Sequence, residues 1–503
     1  MFRKVLIANR GEIAARIIRA CRDLGISPVA VYSEPDRASM HVRLADEAYL
    51  LGPAPPLESY LDIKKVIETA ERAKADAIHP GYGFLSENPR FAEACASAGM
   101  LLIGPSAESM RLAGNKTNAR TLLREHKIPL VPGTCRILTS VDEAVEEART
   151  LGYPVMLKAS AGGGGRGMRF VTGESRMKDD FASAGSEALN SFGDSSLYLE
   201  KYMVRPRHIE IQVFADQHGN AIHMGERECS IQRRHQKVLE ECPSPIMDEE
   251  LRRKMGETAI RVMRAVRYEN AGTVEFLVDQ NRHFYFLEMN TRLQVEHPVT
   301  EAVTGLDLVC EQFRVAAGEP LSLRQEQVQI RGAALQCRIY AEDPENAYSP
   351  SPGVIRGLQE PMGPGIRLDS GIYRGWEVPI HYDPLLSKLI AFGANRTQAV
   401  ARMNRAIQEY QVSGIKTNVS LFAEILSDRE FLAGNTHTGF LEELQERRGK
   451  GQTLPHSIPY SHALGAALAY ADSAEPSPSQ PVPPSGSAWK LSGRPGFSTM
   501  THR

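Results

Sequence analysis

YPVMLKASAGGGGRGMRFV, residues 153–171, contains five glycines. Gly162, Gly164 and Gly167 satisfy the G-x-G-x-x-G pattern of dinucleotide-binding turns, but such a turn joins a strand to a helix. Here the strand-type segment 168–171 follows the glycines, no acidic residue ends a following strand at the expected distance, and the G-K-[ST] ending of a P-loop is missing. The pattern therefore favours a glycine-rich hairpin over a dinucleotide-binding turn.

A hairpin of this kind can close over bound phosphates. Its backbone N–H groups can point at phosphate oxygens, and Lys158 on the entering strand can add a positive charge. A mobile hairpin with a solvated lysine has the same sequence features. The loop alone does not decide between these interpretations, so other segments must.

The composition indicates a multidomain globular protein. The 503 residues predict about two to four domains, and 42% hydrophobic with 24% charged residues is ordinary for such chains. The net charge of −2 gives no reason to expect nucleic acid or an anionic membrane as a partner, and no apolar run approaches a membrane span. Seven cysteines without a C-x-x-C pair favour reduced thiols and a cytoplasmic location.

Strand-type and helix-type segments alternate over the first 130 residues, which predicts a parallel α/β sheet covered by helices. Short strands and turns then predominate, with a helix predicted over about 249–267. The segments 272–279 and 283–290 after it look like an antiparallel pair. Strands and helices mix over about 331–445, a candidate third domain, and a Pro- and Ser-rich stretch follows beyond residue 450.

Two carboxylates stand in apolar surroundings on that predicted pair of strands. Glu275 lies within "VEFL" and Glu288 within "FLEMN", and burying both would require a counter-charge. Together with Asn290 they suit Mg²⁺, which prefers carboxylates, water and nucleotide phosphates. For Glu275 alone, a solvent-facing position on an alternating strand is the simpler interpretation.

The next segment, "TRLQVEHP", alternates three polar side chains. On an extended segment Arg292, Gln294 and Glu296 would point to one side, where they could bind a small oxyanion and place a general base against it. A surface ion pair is the alternative.

A basic segment, "IQRRHQKV", favours an anion site over a nucleic-acid surface because no aromatic residues are interleaved with its cations. Its basic residues are Arg233, Arg234, His235 and Lys237. A solvated basic strand is the alternative.

In these segments and others, the chain resembles biotin carboxylase, the ATP-grasp component of acetyl-CoA carboxylase and its relatives. The matching segments span about residues 1–445 in the family's order and include KVLIANRGEIAARI, AIHPGYGFLSEN, KASAGGGGRGM, EKYMVRPRHIEIQV, ERECSIQRRHQKV, EMNTRLQVEHPVTE, CRIYAEDP and GIKTNV. The resemblance implies a multidomain protein of α/β and α+β class, in which the glycine loop is the lid over the nucleotide phosphates. The implied divisions are a Rossmann-like N-terminal domain at 1–115, an ATP-grasp domain at 116–330 with its lid at about 131–204, a mixed C-terminal domain at 331–447, and a linker and tail at 448–503.

The resemblance also implies a role for individual residues. It implies ATP contacts from Lys116, Lys158, Gly163, Gly164, Gly165, Glu200, Lys201, Met203, His208, Gln232 and His235. Glu275 and Glu288 resemble the ligands of Mg²⁺, with Asn290 adjacent and Mn²⁺ as the alternative ion. The implied bicarbonate site consists of Lys237, Arg292, Gln294 and Val295, with Glu296 as general base. Arg338 resembles the arginine that faces the biotin ureido oxygen, and Tyr82 the tyrosine beside the biotin ring.

The implied reaction begins when Glu296 removes the bicarbonate proton and bicarbonate attacks the γ-phosphate of ATP. The product, carboxyphosphate, releases CO₂ and phosphate, and this phosphate takes the N1′ proton of biotin while Arg338 stabilises the enolate-like ureido oxygen. A closed lid would keep water from the labile intermediate.

Partners follow from a motif that these 503 residues lack. No A-M-K-M biotin-attachment sequence occurs, and the one Met-Lys pair, Met177–Lys178, is followed by two aspartates. We therefore expect biotin to arrive on a separate biotin carboxyl carrier protein, with a carboxyltransferase as a further partner and a homodimer as the family's assembly. The tail, with Trp489, would tether or dock a partner. Acetyl-CoA or another acyl-CoA is the expected acceptor, and pyruvate is the alternative.

Three other function classes fit less well. A carboxylate–amine ligase of the same fold would not need an arginine that faces biotin, and a non-catalytic regulatory protein would be expected to have lost some of the implied catalytic residues, all of which are present. An NAD-dependent oxidoreductase would need a helix directly after the glycines.

Overall fold

The first five strands form one parallel sheet, as their alternation with helices predicts. The structure is a computed structural model, and it describes residues 2–114, 116–160 and 167–449. The elements of the first segment are β1 (Lys4–Ile7), α1 (Gly11–Asp23), β2 (Ser27–Ser33), α2 (Met40–Leu44), β3 (Glu47–Gly52), α3 (Ile63–Ala73), β4 (Ala77–His79), α4 (Pro89–Ser97) and β5 (Leu101–Leu102). The sheet order is β3-β2-β1-β4-β5, and each neighbouring pair is parallel. Ile13 and Ile17 of α1 pack with Val5 and Ile7 of β1 in one core cluster.

A small antiparallel sheet carries the glycine stretch. The elements of this segment are α5 (Ala107–Gly114), α6 (Lys116–Glu125), α7 (Val141–Leu151), β6 (Val155–Ala159), β7 (Met168–Val171), α8 (Glu174–Phe192) and β8 (Leu197–Lys201). Strands β6 and β7 pair with each other, and β8 pairs with β6 on its other side. The prediction of a strand on each side of the glycines is confirmed. Gly163, Gly164 and Gly165 lie outside the described residues.

Gly167, at the end of that stretch, is a position that favours glycine. Its φ is +66°, and a Cβ built there would lie 2.9 Å from the Cβ of Ala159. A side chain at this position would therefore meet both backbone strain and a steric clash on the neighbouring strand.

Eight of the remaining described strands form a large antiparallel sheet. The elements of its first segment are β9 (Arg207–Ala215), β10 (Ala221–Arg233), β11 (Gln236–Cys242), α9 (Glu249–Ala265), β12 (Asn270–Val278), β13 (Phe284–Asn290), α10 (His297–Thr304) and α11 (Leu308–Ala316). The elements that follow are β14 (Ala333–Tyr340), β15 (Glu342–Asp343), β16 (Ser349–Pro350), β17 (Gly353–Val354), β18 (Gly357–Gln359), β19 (Ile366–Ser370), β20 (Glu377–Val378), β21 (Leu385–Gly393), α12 (Arg396–Glu409), β22 (Gln411–Ser413), α13 (Val419–Ser427), α14 (Arg429–Leu432) and α15 (Phe440–Gly449). The short strands β15 and β16, β17 and β20, and β18 and β22 form separate two-stranded sheets. The order of the eight strands is β13-β12-β9-β10-β11-β14-β21-β19. One continuous sheet thus joins the segment that carries the predicted carboxylates to the segment that carries Arg338.

Alternation along β9 gives this sheet two different buried faces. Ile209 and Ile211 pack with α9 residues such as Met255 and Val262 in one apolar cluster. Glu210, between them, points to the other face because successive strand residues alternate. That second face carries the polar groups described below.

The predicted helix at about 249–267 and the antiparallel pair after it are confirmed by α9, β12 and β13. Among the described residues, no helix combines the length and the apolar character needed to cross a membrane.

Candidate active site

A row of four charged side chains crosses the large sheet on the face opposite α9. Glu288 on β13 lies directly opposite Glu275 on β12. Glu275 lies opposite Glu210 on β9, and Glu210 lies opposite Arg227 on β10. Directly opposed residues share a face, so three carboxylates and one guanidinium line up across four strands. Glu275 is only 4% exposed, so the interpretation of it as a solvent-facing residue is wrong.

Arg227 is fully buried and has an acceptor for each of its five N–H groups. These acceptors are Glu210, Gln212, Thr273, Gln294 and Thr300. An arginine saturated in this way has no donor left for a ligand. Its role is to fix the side chains around it, and sequence reasoning missed it because its partners lie far apart in the chain.

A β-bulge brings Lys237 onto the same face. The pairing of β10 with β11 passes from Leu239 to Lys237 and leaves Val238 as the bulged residue. Val238 and Leu239 therefore both pack in one apolar cluster, whereas Lys237 and Glu240 contact the charged side chains of the opposite face. Bulges commonly re-aim a side chain in this way beside a functional site.

Lys237 joins three carboxylates. Its ammonium donates to Glu210, to Glu275 at 2.9 Å and to Glu296 at 2.6 Å. Burial alone would lower the pKa of Lys237, but the three carboxylates outweigh burial and hold it well above its ordinary value. Lys237 is therefore a permanent cation at the centre of this face.

Glu296 lies between two cations. One carboxylate oxygen accepts from Lys237, and the other accepts from Arg338 at 2.8 Å. Burial raises the pKa of Glu296, but Lys237, Arg338 and Arg227 together bring it below its ordinary value. The carboxylate is therefore ionised at neutral pH, which is the protonation state that a general base needs.

The segment before Glu296 is not extended, so the predicted alternation of three side chains on a strand is wrong. The chain turns here because α10 begins at His297, with Pro298 in its first turn. Gln294 nevertheless reaches the same face and donates to Glu275 at 2.7 Å. Val295 lies between Gln294 and Glu296 in the turn and is half-buried.

Arg292 is held by two neighbours on different segments. Its Nε donates to Glu87 at 2.8 Å, and its Nη2 donates to the Asn290 amide oxygen at 3.0 Å. Glu87 also accepts the backbone N–H of Thr291 at 3.0 Å. Glu87 follows β4 of the parallel sheet, and sequence reasoning did not select it.

Arg338, on β14, completes the cluster. Its Nε donates to Glu240 at 2.6 Å, and its Nη2 reaches Glu296. Tyr82 makes a different contact, since the Lys388 ammonium lies 5.6 Å from the centre of its ring. The Tyr82 hydroxyl is buried and has no hydrogen-bond partner among the described residues.

Several of the predicted nucleotide-side residues lie on or beside the small sheet. Lys158 forms an ion pair with Glu200, which Arg120 also contacts. Lys201 donates to the backbone oxygen of Gly152 at 2.6 Å. Met203 is half-buried. The side chain of Lys116 lies outside what the structure describes.

His208 connects this region to the carboxylates. Its Nδ1 lies 2.7 Å from the Gln232 amide nitrogen, and its Nε2 lies 2.8 Å from Glu275. The predicted residues His208, Gln232 and Glu275 are thus brought together. His235 lies apart from them, exposed in the turn between β10 and β11 with a φ of 64°.

The basic segment around that turn does not form a single anion site. Arg233 pairs with Glu342 at 2.7 Å, while Arg234 and His235 are exposed. Lys237 alone turns into the charged face. The tight turn separates these cations because it reverses the chain between them.

The carboxylate pair fits a hard divalent cation. Glu275 and the half-buried Glu288 are directly opposed, so their carboxylates share one face of the sheet. Carboxylate oxygens are also the ligands that Mg²⁺ prefers. Asn290 donates to Glu275 at 2.9 Å and gives its oxygen to Arg292, so it lies beside the pair and not between its members.

Family models match most of the chain. The model for the biotin carboxylase N-terminal domain matches residues 1–110, the model for the ATP-binding domain of the carbamoyl-phosphate synthase L chain matches residues 115–324, and the model for the biotin carboxylase C-terminal domain matches residues 336–443.

Individual relatives agree with these models. A biotin carboxylase of Nostoc sp. is 50% identical over 445 residues, which are 88% of this chain and 100% of the relative. A pyruvate carboxylase subunit of Methanothermobacter thermautotrophicus is 52% identical over 89% of this chain and 91% of its own. The biotin carboxylase domain of Hydrogenobacter thermophilus 2-oxoglutarate carboxylase, solved as a dimer with MgADP, ADP and bicarbonate, superposes with a TM-score of 0.87 at 46% identity, covering 89% of this chain and 98% of that one. This chain therefore belongs to the biotin carboxylase family of ATP-grasp enzymes.

Proposed function

We propose that this enzyme uses ATP and bicarbonate to carboxylate biotin, through carboxyphosphate, with Glu296 as the base. The observation that carries the proposal is the position of the Glu296 carboxylate, which is 2% exposed and shared between Lys237 and Arg338. An ionised carboxylate between two cations provides a base and the means to bind an anionic substrate at the same point.

The low pKa of Glu296 changes when an anion binds. Bicarbonate would pair with the cations Lys237 and Arg292. In this structure Glu296 already forms an ion pair with Lys237. Since Lys237 holds the pKa of Glu296 down, sharing this cation with a second anion raises that pKa. The base thus becomes stronger when its substrate arrives, and deprotonated bicarbonate can attack the γ-phosphate of ATP.

Phosphoryl transfer needs charge neutralisation more than covalent help. Glu275 and Glu288 would hold Mg²⁺, which neutralises charge on the nucleotide phosphates when bound. Lys158 is the described lysine that would reach the phosphates, after exchanging its ion pair with Glu200 for them. Lys116 and Gly163 to Gly165 remain proposed ATP contacts.

The biotin half of the reaction falls to Arg338. Its guanidinium can stabilise negative charge on the ureido oxygen while phosphate takes the N1′ proton. The pKa of Arg338 is lowered by burial but raised further by Glu240 and Glu296, so its charge is permanent. Tyr82 remains the proposed contact for the biotin ring.

The finer assignment concerns assembly and acceptor. We propose a biotin carboxyl carrier protein and a carboxyltransferase as partners, a homodimer as the assembly, an acyl-CoA as the final acceptor and the cytoplasm as the location. The domain limits at residues 115, 330 and 447 are part of the same proposal. Pyruvate is the alternative acceptor, since a protein named for pyruvate carboxylase is among the similar proteins.

Steady-state ADP release tests the half-reaction. We expect turnover that needs bicarbonate and rises with free biotin, and a loss of at least about 100-fold in Glu296→Gln, because a general base contributes about 10²–10⁴ in rate. The control is Glu241→Gln, which replaces a buried carboxylate on the other face of β11 that pairs with Arg396. Turnover that ignores both bicarbonate and biotin would point instead to a carboxylate–amine ligase of the same fold.

A further inference from the structure

Glu240 is a fully buried carboxylate that the proposed reaction does not use. It lies on β11, directly opposite Gln336 of β14, and its side chain has no exposed surface. A buried carboxylate is costly unless each oxygen is paired. The hydrogen-bond partners of Glu240 therefore indicate its role.

Both oxygens of Glu240 are bound by residues of one neighbouring strand. One accepts from Arg338 Nε at 2.6 Å, and the other accepts from Gln336 Nε2 at 3.1 Å. Gln336 and Arg338 are two residues apart on β14 and so share a face. The Gln336 amide fixes the carboxylate, and the carboxylate fixes the Nε edge of the guanidinium.

Arg338 contacts a second carboxylate that loses its charge during the proposed turnover. Its Nη2 donates to Glu296 at 2.8 Å. In the proposed function Glu296 gains a proton from bicarbonate, and a protonated carboxyl is a much weaker partner for a guanidinium. Glu240 is then the carboxylate, among the described residues, that still anchors Arg338 when biotin must be recognised.

We propose that Glu240 is the positioning residue that holds Arg338 by its Nε edge and so aims its two Nη groups at the biotin ureido oxygen. Glu240 itself touches neither substrate, since it is buried behind Arg338. The inference rests on the proposed function because it assigns Arg338 to biotin.

The neighbouring residue provides a matched control. Glu241 is 2% exposed, and it pairs with Arg396 through contacts of 2.6 and 3.3 Å. It therefore repeats the buried carboxylate–guanidinium pair one residue away, on the opposite face of the same strand. Burial raises the pKa of both Glu240 and Glu241.

The test compares two rates in Glu240→Gln and Glu241→Gln: bicarbonate-dependent ATP cleavage without biotin, and the additional turnover that biotin produces. We expect Glu240→Gln to lose at least about tenfold more of the biotin-dependent rate than of the biotin-independent rate, with an increased KM for biotin. Glu241→Gln should change both rates in the same proportion. Equal loss of both rates in Glu240→Gln would overturn the inference, because a residue that only supports the fold would weaken both.

Two further measurements keep the inference testable if Glu240→Gln folds poorly. Gln336→Met removes only the donor that fixes Glu240, and the amide oxygen it deletes is buried with no partner among the described residues; we expect a smaller change in the same direction. In a double-mutant cycle, Glu240→Gln should lower the biotin-dependent rate of the Arg338→Lys enzyme by less than about twofold, because the guanidinium that Glu240 positions is already absent. Full additivity would contradict the inference. If the wild-type enzyme shows no biotin-dependent rate at all, the proposed function fails, and not this inference alone.

Discussion

The Glu296 carboxylate accepts a hydrogen bond from the Lys237 ammonium at 2.6 Å. This contact joins the carboxylate of the proposed base to the ammonium of the proposed anion site. Burial raises the pKa of Glu296, but Lys237 and its neighbouring cations lower it further, so that the folded-state pKa lies below the ordinary value of 4.5. The same contact therefore has a consequence for stability.

The stability advantage of wild type over Glu296→Gln should depend on pH. Because the folded state binds a proton on Glu296 less tightly than the unfolded state, the contribution is complete above about pH 5 and is lost as the pH falls toward the folded-state pKa. We expect the difference in urea midpoint between the two proteins to be largest near pH 7 and to narrow steadily below pH 5.

Glu241→Gln gives the opposite sign and serves as the comparison. Burial raises the pKa of Glu241 despite Arg396, so wild type should gain on this variant as the pH falls. Parallel pH profiles for the two variants would show that the Lys237 contact does not control the charge of Glu296.

Arg227, the cation of the charged row, should be costly to replace. In Arg227→Met, Glu210 loses its guanidinium partner and four neutral acceptors lose their donor. Breaking a buried ion pair costs about 3–5 kcal/mol. We expect a loss of at least about 3 kcal/mol in the free energy of unfolding, measured by urea titration.

Arg253→Met is the matched surface substitution, because Arg253 is 60% exposed and pairs with Glu257 one helical turn away. It should cost less than about 0.5 kcal/mol. A similar cost for both variants would mean that the network around Arg227 does not stabilise the sheet.

Glu87 should control the affinity for bicarbonate. Its carboxylate holds Arg292 Nε and the Thr291 N–H, so Glu87→Gln should leave the guanidinium poorly oriented. We expect the KM for bicarbonate to rise about tenfold, with a smaller change in the KM for ATP. Glu93→Gln removes a half-exposed carboxylate that pairs with Arg111 and should leave both constants within about twofold. An unchanged KM for bicarbonate in Glu87→Gln would remove Arg292 from the bicarbonate site.

Glu288 should control the requirement for the divalent cation. Neutralising it in Glu288→Gln leaves Glu275 as the remaining proposed carboxylate ligand, and we expect the Mg²⁺ concentration for half-maximal ATP cleavage to rise at least about tenfold. Glu257→Gln, an exposed change of the same charge, is the control. Identical Mg²⁺ titrations for these two variants would place the metal elsewhere.

Two antiparallel strand pairs could be predicted because each depends on local pattern. Strand-type residues on both sides of the glycines indicate a hairpin, and two apolar segments after a helix indicate the β12–β13 pair. The carboxylates Glu275 and Glu288 could be selected because charge within apolar strands is unusual.

Other parts of the site could not be read from the sequence. Glu87, Arg227 and Glu240 act through partners on other strands or segments, so their roles depend on sheet register. The bulge at Val238 reverses the alternation that a regular strand would give, and local pattern does not reveal it. Alternation also failed before Glu296, because α10 begins immediately after it.

The most direct measurement follows oxygen from bicarbonate. If Glu296 activates bicarbonate to attack the γ-phosphate, the attacking oxygen stays with phosphorus when carboxyphosphate releases CO₂. Turnover of ATP with ¹⁸O-labelled bicarbonate and biotin should therefore produce inorganic phosphate with one labelled oxygen, at a rate that falls in parallel with ADP release in Glu296→Gln. Unlabelled phosphate, formed at the full rate of ADP release, would contradict the proposed reaction.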